Sequence, residues 1–135
     1  MEKTLVLIKP DAVERNLIGK ILSCYEDEGL KIIALKMKQI SKEFAGLHYA
    51  DHKGKSFYDD LIKYITRSPL CALVIEGENA IERVRSINGA TKPNEAKEGT
   101  IRHKYGISNT ENCVHASDCI DSAKKEIKLW FKTIK

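Results

Sequence analysis

Apolar and polar positions divide this chain into short segments of different period. Thr4-Leu5-Val6-Leu7-Ile8 is a continuous apolar run, and Leu70 to Ile75 is a second. Runs of this length predict strands buried on both faces. Between them, Ile18, Ile21, Leu22 and Tyr25 keep the i, i+3, i+4, i+7 spacing of an amphipathic helix, with Gly29 as its stop. Ile33, Leu35 and Met37 alternate with Ala34, Lys36 and Lys38, which predicts a strand with one wet face. Ser41 can cap a helix carrying Phe44, Leu47 and His48. Phe57, Tyr58, Leu61, Ile62 and Ile65 form a further helical stripe, closed by Ser68-Pro69. Glu76-Gly77-Glu78-Asn79 predicts a turn, and Ile81 and Val84 a short helix that stops at Asn88-Gly89. Asp118 can cap a last helix whose buried stripe is Ile120, Ala123, Ile127, Trp130, Phe131 and Ile134.

Strand, helix, strand, helices, strand, helix, short strand, helix is an α+β order. Its simplest form is the ferredoxin-like βαββαβ sandwich, an antiparallel four-stranded sheet with helices on its faces. The 135 residues fit one domain, 1–135, with a real core. One stretch resists this reading. From Asn88 to Glu111 only Ile101, Tyr105 and Ile107 offer apolar surface to bury. A loop of that length inside a compact domain is usually functional or disordered, and the helix beyond it argues against disorder.

Composition narrows the classes. A net charge of +4 suits an anionic partner but is too mild to argue for nucleic acid. Cys24, Cys71, Cys113 and Cys119 make no CxxC and no zinc spacing, so they read as reduced thiols. No apolar run is long enough to span a bilayer and no targeting segment is evident, which leaves the cytoplasm as the default.

The chemistry gathers at Asn112-Cys113-Val114-His115-Ala116-Ser117-Asp118. An ordinary histidine is largely neutral at pH 7, and an unprotonated imidazole is a competent nucleophile. Lys9 ends the first buried strand; it either marks that end or points its ammonium into whatever opens there. Glu126 lies at the seam of the last helix's apolar stripe, where a carboxylate needs a partner. His48 and His52 stand one helical turn apart but lack further ligands, so surface or packing roles fit them best. Gly54-Lys55-Ser56 imitates the end of a phosphate loop, but Tyr49 occupies the position of the required first glycine and no strand precedes it.

Several segments together resemble one family. Lys9-Pro10-Asp11-Ala12-Val13, His48-Tyr49, Gly99-Thr100-Ile101-Arg102, the histidine segment and Ser122-Ala123-Lys124-Lys125-Glu126-Ile127 are similar to nucleoside diphosphate kinases, in order, from Thr4 to about Phe131. The resemblance implies a ferredoxin-like homo-oligomer, tetramer or hexamer. It implies ping-pong transfer of the γ-phosphate of a nucleoside triphosphate, typically ATP, to a nucleoside diphosphate through a phosphohistidine. His115 matches the nucleophile, through its δ nitrogen, with Glu126 and Ser117 as its orienters. Lys9, Arg85 and Arg102 match the phosphate cations, Thr91 a neutral donor and Tyr49 a hydroxyl near the γ-phosphate. Asn112 and Lys9 match positions that meet the sugar, and Phe57 the aromatic on which the base stacks. Stacking uses a face every base has, so base and sugar tolerance is expected to be broad. Mg²⁺ is the implied cofactor, held by phosphate oxygens and water rather than by a protein cage, with Asp118 as a possible contact to its water. Neither a membrane nor a specific nucleic acid is an expected partner.

The chain departs from the family pattern in places. Lys92 stands in Thr91-Lys92-Pro93 where asparagine is common, and Glu98 where proline precedes Gly-Thr-Ile-Arg. His103-Lys104-Tyr105 replaces Gly-Asp-Phe, and Ala116 the frequent glycine after the histidine. The loop changes bear on subunit packing. So does the end of the chain at Lys135, short of the tail that braces some hexamers. A second reading is a non-catalytic regulator on the same fold that binds nucleotide or nucleic acid. A third is a plain interaction module, which predicts no clustering of Lys9, Arg85, Arg102 and His115.

Overall fold

The computed structural model describes residues 1–131. Its strands are β1 (Glu2–Ile8), β2 (Lys31–Lys38), β3 (Leu70–Gly77) and β4 (Val114–Ala116), in the sheet order β2-β3-β1-β4, every neighbouring pair antiparallel. This is the expected ferredoxin-like arrangement. The helices are α1 (Pro10–Glu14), α2 (Ile18–Asp27), α3 (Lys42–His48), α4 (Tyr58–Ile65), α5 (Ala80–Asn88), α6 (Ile101–Tyr105) and α7 (Ile120–Trp130).

The period of two along β1 divides the core. Val6 and Ile8 pack with Ile21 and Tyr25 of α2 and Val84 of α5 on one face. Leu5 and Leu7 pack with Ala45 of α3, Ile65 of α4 and Ile127 and Trp130 of α7 on the other. β1 and β3 are therefore apolar on both faces, as their unbroken runs required. No helix among the described residues is long and apolar enough to cross a membrane.

Several local expectations are corrected. Leu35 and Met37 of β2 are exposed, 52% and 55%, rather than core. A bulge between Ile32 and Ala34 shifts the alternation by one residue. Ala34 and Lys36 turn toward the α7 side instead, where the Lys36 ammonium lies 4.7 Å from the Phe131 ring centroid. β3 continues through Gly77, so the turn falls at Glu78-Asn79. The stretch after Asn88 is not structureless: a 3-10 turn (Pro93–Glu95) and α6 lie within it, and Ala96 and Ile101 are buried. Thr100 caps α6 through its hydroxyl, which accepts from His103 N.

At α7 the cap is Cys119, whose Sγ accepts from Ser122 N, and not Asp118. Asp118 stands one residue earlier. A hydrogen bond from Ser122 holds its carboxyl below the ordinary carboxylate value. Ile120, expected on the buried stripe, is the first helical residue and faces an open cleft. Ile134 of the same stripe lies outside the described residues. All four cysteines are free thiols.

Candidate active site

Antiparallel pairing of β4 with β1 sets His115 beside Leu7 and Val114 beside Ile8. The turn into β4 is tight. Cys113 takes a left-handed φ of 74°, unusual without glycine, and its carbonyl accepts from Lys9 N at 2.8 Å. That bond ties the end of β1 to the start of β4 and brings Lys9 to the histidine segment. A cavity of about 520 Å³ opens there.

The His115 side chain is one-quarter exposed, and its Nε2 lies 2.9 Å from Glu126 Oε1. The Ser117 hydroxyl donates to the same carboxylate oxygen at 2.8 Å. The carboxylate at the seam of α7 therefore has the partners it needed. Burial pushes the Glu126 carboxyl up, but hydrogen bonds and charge from His115, then Ser117, prevail and hold it below its ordinary value. An ionised Glu126 accepts from a proton-bearing Nε2, and in the neutral tautomer so fixed the free lone pair of His115 is on Nδ1.

Cations converge from three elements. Lys9 is almost fully buried, and its Nζ donates to Asn112 Oδ1 at 2.9 Å. Burial, then the charge of Arg102, pushes its ammonium down to about 8. Asn112 is fixed on its other side, its Nδ2 donating to Thr91 O at 3.1 Å and Asn109 O at 2.9 Å. Arg102 on α6 donates to Gly89 O at 2.8 Å and Val114 O at 2.6 Å, which clamps the long loop to β4. Burial lowers its guanidinium from the usual arginine value, with Arg85 adding to the fall. Arg85 itself is exposed on α5 at the cavity wall.

Lys9, Tyr49, Arg85, Thr91, Arg102, Asn112, His115 and Glu126 all line this one cavity. Ser117 lies behind Glu126 rather than on the wall, and acts on the cavity through it. Phe57 is also not part of the wall. It is half-exposed just before α4, with its ring 5.5 Å from that of His52, which does line the cavity. It therefore stands at the rim. Burial pushes the Tyr49 hydroxyl up to about 12, so it stays a neutral donor.

One wall residue escaped the sequence reading in this role. A surface or packing role was expected for His48, and it packs against His115 itself, with ring centroids 4.8 Å apart. The adjacent Tyr49 was a usable signal, because two ring residues ending one helix reach the same wall. A larger open cleft of about 950 Å³ lies beyond Arg85. Glu2, Glu82, Glu95, Asp118 and Asp121 outnumber Arg85 and Lys97 there, whereas Lys9, Arg85 and Arg102 balance Asp51, Asp118 and Glu126 in the smaller cavity, so the larger cleft suits phosphate less.

The fold and the cavity define a class: an α+β sandwich with a histidine set beside three cations, suited to handling phosphate. Comparison with known proteins gives the family. The nucleoside diphosphate kinase family model matches residues 2–135. A nucleoside diphosphate kinase of Clostridium perfringens is 66% identical over 134 residues, 99% of this chain and 94% of that protein. The apo crystal structure of nucleoside diphosphate kinase from Encephalitozoon cuniculi superposes with a TM-score of 0.94 at 37% identity, covering 97% of this chain and 89% of that one. The Aquifex aeolicus nucleoside diphosphate kinase gives 0.93 at 41% identity, covering 96% and 94%. The chain belongs to the nucleoside diphosphate kinase family, and is a nucleotide-binding enzyme that transfers phosphate between nucleotides.

Proposed function

We propose that His115 carries the phosphoryl group in a ping-pong exchange between nucleoside tri- and diphosphates. One observation supports this above the rest: Lys9, Arg85 and Arg102, distant in sequence, line the same cavity as an imidazole whose Nε2 is held by a carboxylate. In the first half-reaction the Nδ1 lone pair attacks the γ-phosphorus. An N–P bond forms, the bridging P–O bond breaks, and its electron pair leaves on the diphosphate. Positive charge then develops on the imidazole, and the Glu126 carboxylate offsets it across the 2.9 Å contact. The second half-reaction reverses these steps with another diphosphate.

Each wall group has a task in this scheme. Charge spreads over the phosphoryl oxygens in the transition state, and fixed donors stabilise it without reorganising. Lys9 and Arg102 are such donors because their own hydrogen bonds hold them in place. Arg85, Thr91 and the neutral Tyr49 hydroxyl complete the phosphate shell, Lys9 and Asn112 meet the sugar, and Phe57 offers a stacking face at the rim.

Among the described residues no group of three or more His, Cys, Asp or Glu is arranged to hold a metal. The cavity's carboxylates are Asp51, Asp118 and Glu126, the last taken by His115 and Ser117. These donors would suit a Mg²⁺ ion that arrives with the nucleotide, and Asp118 would be the carboxylate to accept from its water. When bound, that ion neutralises phosphate charge.

The exposed Leu35 and Met37 on edge strand β2 support a homo-oligomer, since an apolar strand with one open edge is a ready surface for a second copy. A cytoplasmic setting fits the free thiols. The test is a chase. Protein labelled from γ-labelled ATP and freed of nucleotide should pass its label to purine and pyrimidine, ribo and deoxy diphosphates alike. Failure to transfer, or transfer only while ATP remains bound, contradicts the ping-pong reading.

A further inference from the structure

Glu126 and Trp130 stand one turn apart on α7, and each holds a different imidazole. Glu126 meets Nε2 of His115. The Trp130 indole donates to Nδ1 of His48 at 3.2 Å. An indole N–H can only donate, so Nδ1 of His48 accepts and the ring's proton sits on Nε2. The two histidine rings meet edge to face, centroids 4.8 Å apart and planes at 83°. His48 is braced on its other sides as well, by Tyr49 at 4.8 Å and by Trp130 at 5.4 Å. Phe44 packs edge-on behind Trp130 at 4.7 Å. His48 also lines an open cleft of about 430 Å³ between α3 and α7, and with Asp51, Ser122 and Glu126 it borders both that cleft and the nucleotide cavity.

We propose that His48 is a positioning residue for phosphoryl transfer: the indole of Trp130 locks its tautomer and rotation, and its ring fixes the plane in which His115 presents Nδ1 to the phosphorus. The proposal rests on His115 as the phosphoryl carrier. It assigns α7 a double task, with Glu126 orienting the nucleophile and Trp130 orienting the wall against which it leans.

The electrostatics agree. Burial, then His115, pushes His48 down to about 3, with Lys9 and His52 adding to the fall and Glu126 opposing it. Asp51, Lys125 and Lys128 line the same open cleft. The ring beside the nucleophile therefore stays neutral while His115 gains positive charge, and a protonated neighbour would oppose that step.

Trp130→Phe in the full chain removes the indole N–H and keeps an aromatic. His48→Asn keeps an acceptor for the indole and removes the ring. Single-turnover labelling from γ-labelled ATP is measured across pH, beside nitrogen NMR of the histidine rings. In the parent chain His48 should show a neutral ring protonated on Nε2 from about pH 5 to about pH 9. In Trp130→Phe that signature should become a mixture of tautomers, and the acid limb of the labelling rate should move to higher pH. Both variants should lose about tenfold in labelling rate at saturating ATP, with the half-saturating ATP concentration little changed. Parent-like rates in both, a loss confined to half-saturation, or an unmoved pH limb with an unchanged tautomer in Trp130→Phe would overturn the proposal. Should Trp130→Phe fail to fold in a melting experiment, His48→Asn decides on its rate. An unlabelled parent chain would instead overturn the role of His115.

Discussion

The two edges of the sheet differ in length and in what they expose. β4 is an edge strand of three residues, and long connections flank it on the side of the cavity. β2 is an edge strand of eight residues that leaves Leu35 and Met37 in solvent. A short edge offers little backbone to a stray strand, and the space beside it can be filled by loops that carry chemistry. A long apolar edge has no such filling and suits a second copy of the chain. The histidine thus lies where the sheet is narrowest, and the surface proposed for assembly lies across the sheet from it, beyond β1 and β3.

The comparison breaks most sharply at Lys9. Lys9→Met should lower single-turnover labelling by roughly 10²- to 10³-fold, because a fixed cation is lost from the transition state. Its melting temperature should hold or rise, since burying an ammonium opposes folding. Near-parent activity would mean that the β4 edge does not depend on its cation. Glu126→Gln keeps the shape but not the charge that offsets the imidazolium. Steady-state kcat should fall about 10- to 100-fold, with KM for ATP much less affected.

The same lysine gives a pH signature. Its folded value of about 8 lies below its ordinary 10.5. Labelling should decline as pH rises through about 8 and the ammonium is lost. The fold responds in the opposite sense: the unfolded chain holds the proton that the fold releases, so this group's contribution to stability grows between about 8 and 10.5. A pH–rate profile and melts over the same range read both signs, and Lys9→Met should flatten the second.

The smallest expected effect on chemistry is at the other edge. Leu35→Lys combined with Met37→Lys should shift sedimentation toward smaller species, while labelling per chain changes by no more than about twofold. An unchanged oligomer would place the interface elsewhere.

Element types were largely legible because unbroken apolar runs mark β1 and β3 and a period of 3.6 survives in α2, α4 and α7. What was hidden has identifiable causes. The bulge at Ile32 to Ala34 reverses which residues of β2 face inward, and no residue type there announces it. α6 has five residues, too few to display a helical period, so Ile101 looked like an isolated apolar residue in a loop. Cys119 is an uncommon cap and Asp118 a common one, which moved the expected start of α7 by one residue. The motifs supplied the candidate site residues, and the structure brings them to one cavity or its rim, with Ser117 behind Glu126. His48 was discounted because two histidines one turn apart suggested metal, whereas its partners are an indole and another imidazole.

The most direct measurement is the fate of label after incubation with γ-labelled ATP. The account predicts up to one phosphoryl group per chain, lost in acid and kept in base, and none on His115→Ala with its fold intact by circular dichroism. Label that survives acid, or that persists in His115→Ala, would contradict it.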